Sequence, residues 1–227
     1  MALILSIETS TKVCSVALHQ KGKLLASKEL FLEKSHSALL STLIDELLKS
    51  CRVQFSNLEA IAVSKGPGSY TGLRIGVSTA KGLCYALGVP LIAVNTLEAM
   101  AYGVNQFNLS NALLCPMIDA RRMEVYCLIA DTQMGVIEPT HAKIIDETSF
   151  SNLLVNHDVL FFGDGASKCQ DVLGHNANAK FLNSISPSAV NTGYLAGMKF
   201  LKEDFEDLAY FEPFYLKDFR VTKPKAK

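Results

Sequence analysis

Apolar residues recur along this chain in two rhythms, and the switches between them mark out most of the elements. Leu3 to Ile7 is a short continuous apolar run ending in Glu8-Thr9-Ser10-Thr11, which predicts a buried strand entering a polar turn. Val13 to Gln20 alternates, with Val13, Ser15 and Ala17 set against Cys14, Val16 and Leu18, and stops at Lys21-Gly22-Lys23. Leu24 to Leu32 is a third strand, so the chain opens with three antiparallel strands. The period then lengthens. Leu39, Leu40, Leu43, Ile44, Leu47 and Leu48 share one helical face, with Ser35 or Ser37 as the cap. Ser56-Asn57-Leu58-Glu59 has capping-box spacing and predicts a short helical turn. Ala60 to Val63 is a strand, followed by a Gly/Pro-rich loop, a helix over Leu73 to Leu87, and a strand over Leu91 to Val94. Thr96 is placed to cap one more short helix, through Tyr102.

Gly103 to Ser110 is polar and weakly patterned, and a lobe boundary is expected there: residues 1–106 in one lobe, 107–227 in the other. After it the pattern partly repeats. Ala112 to Ile118 is a strand ending in Asp119-Ala120-Arg121, Glu124 to Ala130 alternates, and Ala142 to Ile145 is a third strand. A helix from about Ser149 to Asn156 leads to the strand Val159 to Phe162 and the turn Gly163-Asp164-Gly165. Pro187-Ser188 opens a last helix, through about Lys202, and this helix or the tail is expected to cross back onto the first lobe. Each half therefore reads strand, acidic turn, strand, strand, helix. Two such halves predict a two-lobed α/β architecture with a cleft between them and the acidic turns facing each other.

Composition narrows the function classes. Apolar residues make up 49% of the 227 positions, enough to bury a sizeable core. Lys plus Arg and Asp plus Glu are both 22, so the chain is not built to wrap nucleic acid unaided. The basic end, with Arg220, Lys223, Lys225 and Lys227, reads as a solvated tail, with an RNA-facing role as the alternative. Cys14, Cys51, Cys84, Cys115, Cys127 and Cys169 form no CxxC pair, which points to a reducing compartment without disulfides or a Cys-based zinc site. MALILSIETS has no basic start and turns polar early, so it reads as a strand, not a signal peptide. No apolar run approaches the roughly 20 residues of a membrane span. A cytoplasmic protein is expected.

Candidate chemistry is sparse. Glu8, Thr9, Ser10 and Thr11 put a carboxylate and three hydroxyls at one turn, suited to phosphate and hydrated Mg²⁺ in a nucleotide cleft opposite Asp119 and Arg121. The alternative is an ordinary Asx/ST turn. Lys65 to Gly72 lacks the Gly-Lys-Ser/Thr close of a Walker loop but precedes a helix. Gly66, Gly68, Ser69, Thr71, Gly72 and Arg74 are thus candidates for an anion or a partner, or for a purely structural loop. The histidines, His19, His36, His141, His157 and His175, include no i,i+3 or i,i+4 pair, so no metal site and no cofactor are expected.

ILSIETST, SKGPGSYTGLRIGVSTAKGL, PLIAVNTLE, IDARRMEVY, FFGDGA and the ISPSAV…EPFYLKDF ending resemble the bacterial TsaB (YeaZ) family over nearly the whole chain. The resemblance implies the actin/Hsp70/sugar-kinase type of fold, which is ribonuclease H-like. It also implies a role in making threonylcarbamoyladenosine next to the anticodon of tRNA. Where the family often has Gly, this chain has Met123. The catalytic paralogue, TsaD, carries a His-x-x-x-His pair after the strand following the long helix; here those positions are Thr96 and Met100. Neither side chain replaces imidazole as a ligand. The resemblance therefore implies a non-catalytic scaffold that pairs with TsaD, helps recruit the ATPase TsaE, meets tRNA indirectly through the complex, and forms a homodimer when alone. The alternative is an enzyme of the same fold, a small-molecule kinase or a metallopeptidase. The partner face is expected on the two long helices of the first lobe, with Leu39, Leu43 and Val77 as candidate contacts.

Overall fold

In a computed structural model, residues 2–32 and 36–217 are described, and two five-stranded sheets carry the architecture. The first holds β1 (Leu3–Glu8), β2 (Cys14–Gln20), β3 (Lys23–Leu30), β4 (Ala60–Gly66) and β5 (Leu91–Asn95), in the order β3-β2-β1-β4-β5. The second holds β6 (Leu113–Asp119), β7 (Glu124–Ala130), β8 (Val136–Ile144), β9 (Val159–Phe162) and β10 (Ala179–Leu182), in the order β10-β9-β6-β7-β8. Read from its antiparallel edge, each sheet has the same plan. Three strands form an antiparallel meander and the last two run parallel to the first. The repeat, weak in the hydrophobic pattern, is thus explicit in the topology.

Parallel neighbours need a crossover, and the helices supply it. α1 (His36–Ser50) joins β3 to β4, and α2 (Tyr70–Leu87) joins β4 to β5. Leu40, Leu43, Ile44, Leu47 and Leu48 of α1 enter one buried cluster with Leu5, Ile7, Val16, Leu18, Val63, Val77 and Cys84. α2 starts at Ser69, whose Oγ accepts from the Gly72 amide at 3.3 Å, and ends at Gly88, left-handed with φ 67°. Its buried face is mostly small, with Gly72, Gly76 and Ala80 beside Leu73 and Val77, which brings the helix close to β4.

Two further helices change sheets. α3 (Thr96–Asn105) follows β5, yet Leu97, Met100, Ala101 and Val104 pack with Leu114, Ile118, Leu128 and Phe162 of the second sheet. α6 (Ala189–Leu201) follows β10, yet lies on β1, β2 and β4 of the first. Its buried residues are Ala189, Thr192, Gly193 and Ala196, small enough for close approach. A Cβ on Gly193 would overlap the His19 ring. After α6 the chain returns along the β5 edge, with Glu206 bridging to Leu91. The Lys81 ammonium donates to the carbonyls of Ala209 and Phe211 there.

Several sequence expectations need correction. Thr96 does not cap α3; Asn95 does, its Oδ1 accepting from Leu97 at 2.9 Å and Glu98 at 3.3 Å, and the helix runs on to Asn105. The helical turn near 56 is a single turn over Phe55–Asn57. There the Asn57 Oδ1 accepts from the Gln54 amide, while Glu59 accepts from the Leu3 amide at 2.7 Å. The eight-residue helix expected near 149–156 is only α4 (Ser151–Leu154). β10 and α5 (Gln170–Leu173) were not anticipated. α1 begins at His36, so Ser37 lies inside its first turn. Ser35 and the tail residues Arg220, Lys223, Lys225 and Lys227 lie outside the described residues.

Candidate functional site

The turn after β1 is buried. Glu8 is wholly enclosed within the first lobe. One carboxylate oxygen accepts from the Ser10 amide at 2.6 Å and the other from the Ser64 hydroxyl. Ser64 in turn touches the Thr192 hydroxyl of α6 at 3.1 Å. The Thr9 hydroxyl donates to the Gly72 carbonyl at 2.8 Å, and the Ser10 carbonyl accepts from the Ser69 amide at 2.6 Å. Thr11, at the rim, is half-buried. Only glycine fits at position 68, because a Cβ there would overlap the Ser10 carbonyl oxygen. The Gly/Pro loop and the hydroxyl turn therefore fill one another, and Glu8 is directed into the lobe core instead of a cleft wall.

That changes what the α2 end offers an anion. The Ser69 and Gly72 amides already have partners within the chain. Gly66 and Gly72 are buried; the Phe214 amide donates to the carbonyl of Lys65, just before Gly66. Thr71 and Arg74 remain exposed, with Arg74 Nη1 donating to the Tyr70 hydroxyl at 3.1 Å.

The second acidic turn is built differently. Asp119 stays exposed and forms an ion pair with Lys168, which also donates to the carbonyls of Arg122 at 2.6 Å and Glu124 at 2.7 Å. The Arg121 amide donates to Asp119 at 2.9 Å. Asp164, from the turn after β9, accepts from the Asp119 amide at 3.0 Å. Burial first, and the Asp119 charge second, push its carboxyl upward.

Thr96 and Met100 open α3 and are sealed, at 0% and 1% exposure. Met100 packs so tightly under the second sheet that a Cβ on Gly163 would lie 2.8 Å from its methyl. Among the described residues no three His, Cys, Asp or Glu side chains are grouped as a metal would need. The six thiols are free; burial pushes Cys14 and Cys169 up to about 11 and Cys84 to about 12, so these three stay protonated and act as small hydrophobes.

Of the expected helix contacts, Leu43 and Val77 are buried in the core of their own lobe, and only Leu39 is half-exposed. This is a correction: one apolar stripe per helix serves the sheet, and periodicity cannot tell that stripe from a partner-facing one. The outward faces carry Ala38, Ser41 and Thr42 on α1, and Thr71, Ser78, Gly82 and Tyr85 on α2. A cavity of 480 Å³ that sequence reasoning missed lies where Lys65, Asn95 and Glu98 meet Thr140 of β8 and Lys199 and Lys202 near the α6 end. No local signal could have found it, since its walls come from five separate stretches of chain.

The family described as TsaD, tRNA N6-adenosine threonylcarbamoyltransferase, matches residues 31–225. A Bacillus subtilis tRNA threonylcarbamoyladenosine biosynthesis protein TsaB is 38% identical over 180 residues, 75% of this chain and 76% of that protein. The chain belongs to the TsaB (YeaZ) family. A solved Pseudomonas aeruginosa protein, described as similar to peptidase YeaZ, is 26% identical and superposes with a TM-score of 0.85, covering 96% of this chain and all of the other. The Clostridium difficile activator of 2-hydroxyisocaproyl-CoA dehydratase superposes with a TM-score of 0.53 over 90% of this chain and 98% of its own, at 8% identity, which shows the fold alone. The fold is the two-lobed actin and sugar-kinase type, and the family takes its name from tRNA threonylcarbamoyladenosine biosynthesis. No helix among the described residues is long and apolar enough to cross a membrane.

Proposed function

We propose that this chain is a non-catalytic scaffold for threonylcarbamoyl transfer to the adenosine next to the tRNA anticodon. It binds the catalytic TsaD subunit and helps recruit TsaE, and tRNA is delivered through that complex. The observation that carries this reading is the start of α3. The positions that correspond to the TsaD histidine pair hold a hydroxyl and a thioether, both sealed in the core. A metal entering there would displace packed apolar side chains and find no imidazole. The closed Glu8 turn supports the same reading, because a kinase needs that turn open to phosphate.

The partner face in this reading is the outer side of α1 and α2. Its centre is small and weakly polar, with Thr42, Ser78 and Gly82, so a second helix pair can approach closely. Nothing lies within 4 Å of where a Gly82 Cβ would sit. A second copy of the chain occupies the same face when TsaD is absent. A stable complex buries roughly 1,200–2,000 Å² in total. The test is reconstitution: TsaD with and without this chain, scored by co-elution and by modified nucleoside in tRNA. Modification by this chain alone rejects the scaffold reading.

A further inference from the structure

A strip of exposed cations interleaved with half-buried tyrosine rings crosses from the first lobe to the second, and the scaffold reading does not use it. It starts at Arg74, whose guanidinium lies 5.4 Å from the centre of the Tyr70 ring. Tyr70 packs on Tyr215, with centroids 4.8 Å apart and planes 31° from parallel. Two residues on, Lys217 pairs with Glu124 and lies 6.0 Å from the Tyr126 ring centre. Burial raises the Tyr126 hydroxyl, while Lys217 and then Arg121 oppose the rise, so Arg121 is within electrostatic reach of that ring. Arg121 and Arg122 end the strip at the tip of the β6–β7 hairpin. Both are exposed and left-handed, with φ 70° and 51°, and Lys168 beneath fixes the turn. Both arginines are solvent-exposed in a backbone conformation that suits glycine or asparagine better.

We propose that this strip, Arg74, Tyr70, Tyr215, Tyr126, Arg121 and Arg122, contacts RNA directly, its tyrosines stacking on unpaired bases and its arginines pairing with phosphates. The proposal rests on the scaffold reading for how RNA arrives, since the partner brings the tRNA. Interleaved aromatic rings and guanidiniums suit single-stranded RNA, whose bases stack on aromatic faces while its backbone seeks arginine. An acidic protein surface would need the charges and gain little from the rings. Of the local acids, Glu124 is tied to Lys217 and Asp119 to Lys168, Asp164 accepts from the Asp119 amide, and Glu212 lies near Tyr215 at one side, which leaves Arg74, Arg121 and Arg122 as the strip's cations. The chain's zero net charge makes this a weak contact that adds to the partner's grip.

The test is an NMR titration of the isolated full chain with an anticodon stem-loop RNA at low salt. Amides around Tyr70, Arg74, Arg121, Tyr126 and Tyr215 should shift, with a Kd near about 10⁻⁴ M, the weak end of non-specific binding. Raising salt from about 20 to about 150 mM should weaken binding about 70-fold if three phosphates of a single strand are contacted. Arg121→Glu with Arg122→Glu should weaken it about tenfold or more, and Tyr215→Ala about fivefold or more. Shifts elsewhere, or none at about 1 mM RNA, well above the weak limit, would overturn the proposal. So would a polyglutamate peptide that shifts the same amides as strongly as RNA, which would assign the strip to an acidic protein. Co-elution with TsaD is read separately, so a chain that still co-elutes but shows no RNA shifts rejects the strip and leaves the scaffold reading standing.

Discussion

His19 gives the clearest test of how α6 is held on the first lobe. It sits on β2, 1% exposed, under Gly193, with the Tyr194 ring edge-on at 4.8 Å and the buried Ser6 hydroxyl nearby. Neither ring nitrogen has a hydrogen-bond partner among the described residues, and neither does Ser6. Burial lowers the imidazole from 6.5 to about 4, so the folded protein keeps it neutral. The depressed value sets the sign. Stability is full above the unfolded pKa near 6.5 and is lost as pH falls from there towards about 4. Between pH 7 and pH 5 the loss from this one group is on the order of 2 kcal/mol. That is a large share of a typical domain stability of about 5–15 kcal/mol. The assay is urea unfolding at both pH values for the wild type and for His19→Leu, which fills similar space without a titrating group. The variant should lose less stability on acidification, by on the order of 2 kcal/mol. Equal pH dependence in the two proteins would refute the reasoning and imply that water or a local opening already solvates the ring.

Gly68→Ala pushes a methyl into the Ser10 carbonyl, a backbone atom that cannot swing aside; thermal unfolding should show a loss of about 1–3 kcal/mol. Gly82→Arg, on the open face of α2, should leave the melting temperature nearly unchanged while abolishing co-elution with TsaD; an unchanged complex places the interface elsewhere. Thr96→His with Met100→His should acquire no stoichiometric zinc by elemental analysis, because groups that orient a ligand histidine are missing from this packed core; one metal per chain would contradict the account.

The sequence disclosed elements whose pattern is local. β7 and β9 were bounded to the residue by alternation and by a short apolar run. α2 announced itself by the Gly88 stop and Pro90, but it starts at Tyr70 with Ser69 as its cap, three residues before the expected Leu73. β10 was missed because Ala179–Leu182 is a four-residue edge strand with no fully buried residue. β8 was recognised only near its end, since Pro139 and exposed positions mask its first half. The candidate site was less legible. Glu8 looks like a cleft carboxylate until Ser64, 56 residues away, and Thr192, on the last helix, are seen to enclose it. Leu43 and Val77 looked available to a partner because sequence records apolarity without recording which surface consumes it. The tyrosine and arginine strip comes from α2, β7, a hairpin tip and the returning segment, brought together by tertiary structure alone.

In the proposed function this chain supports catalysis without performing it. The most direct measurement is nucleoside mass spectrometry of tRNA after incubation with the activated threonylcarbamoyl donor and this chain alone, TsaD alone, or both with TsaE. The account predicts threonylcarbamoyladenosine only when TsaD and this chain are together, in fractions where the two co-elute. Modified tRNA from this chain alone, or full multiple-turnover activity from TsaD without it, would contradict the account.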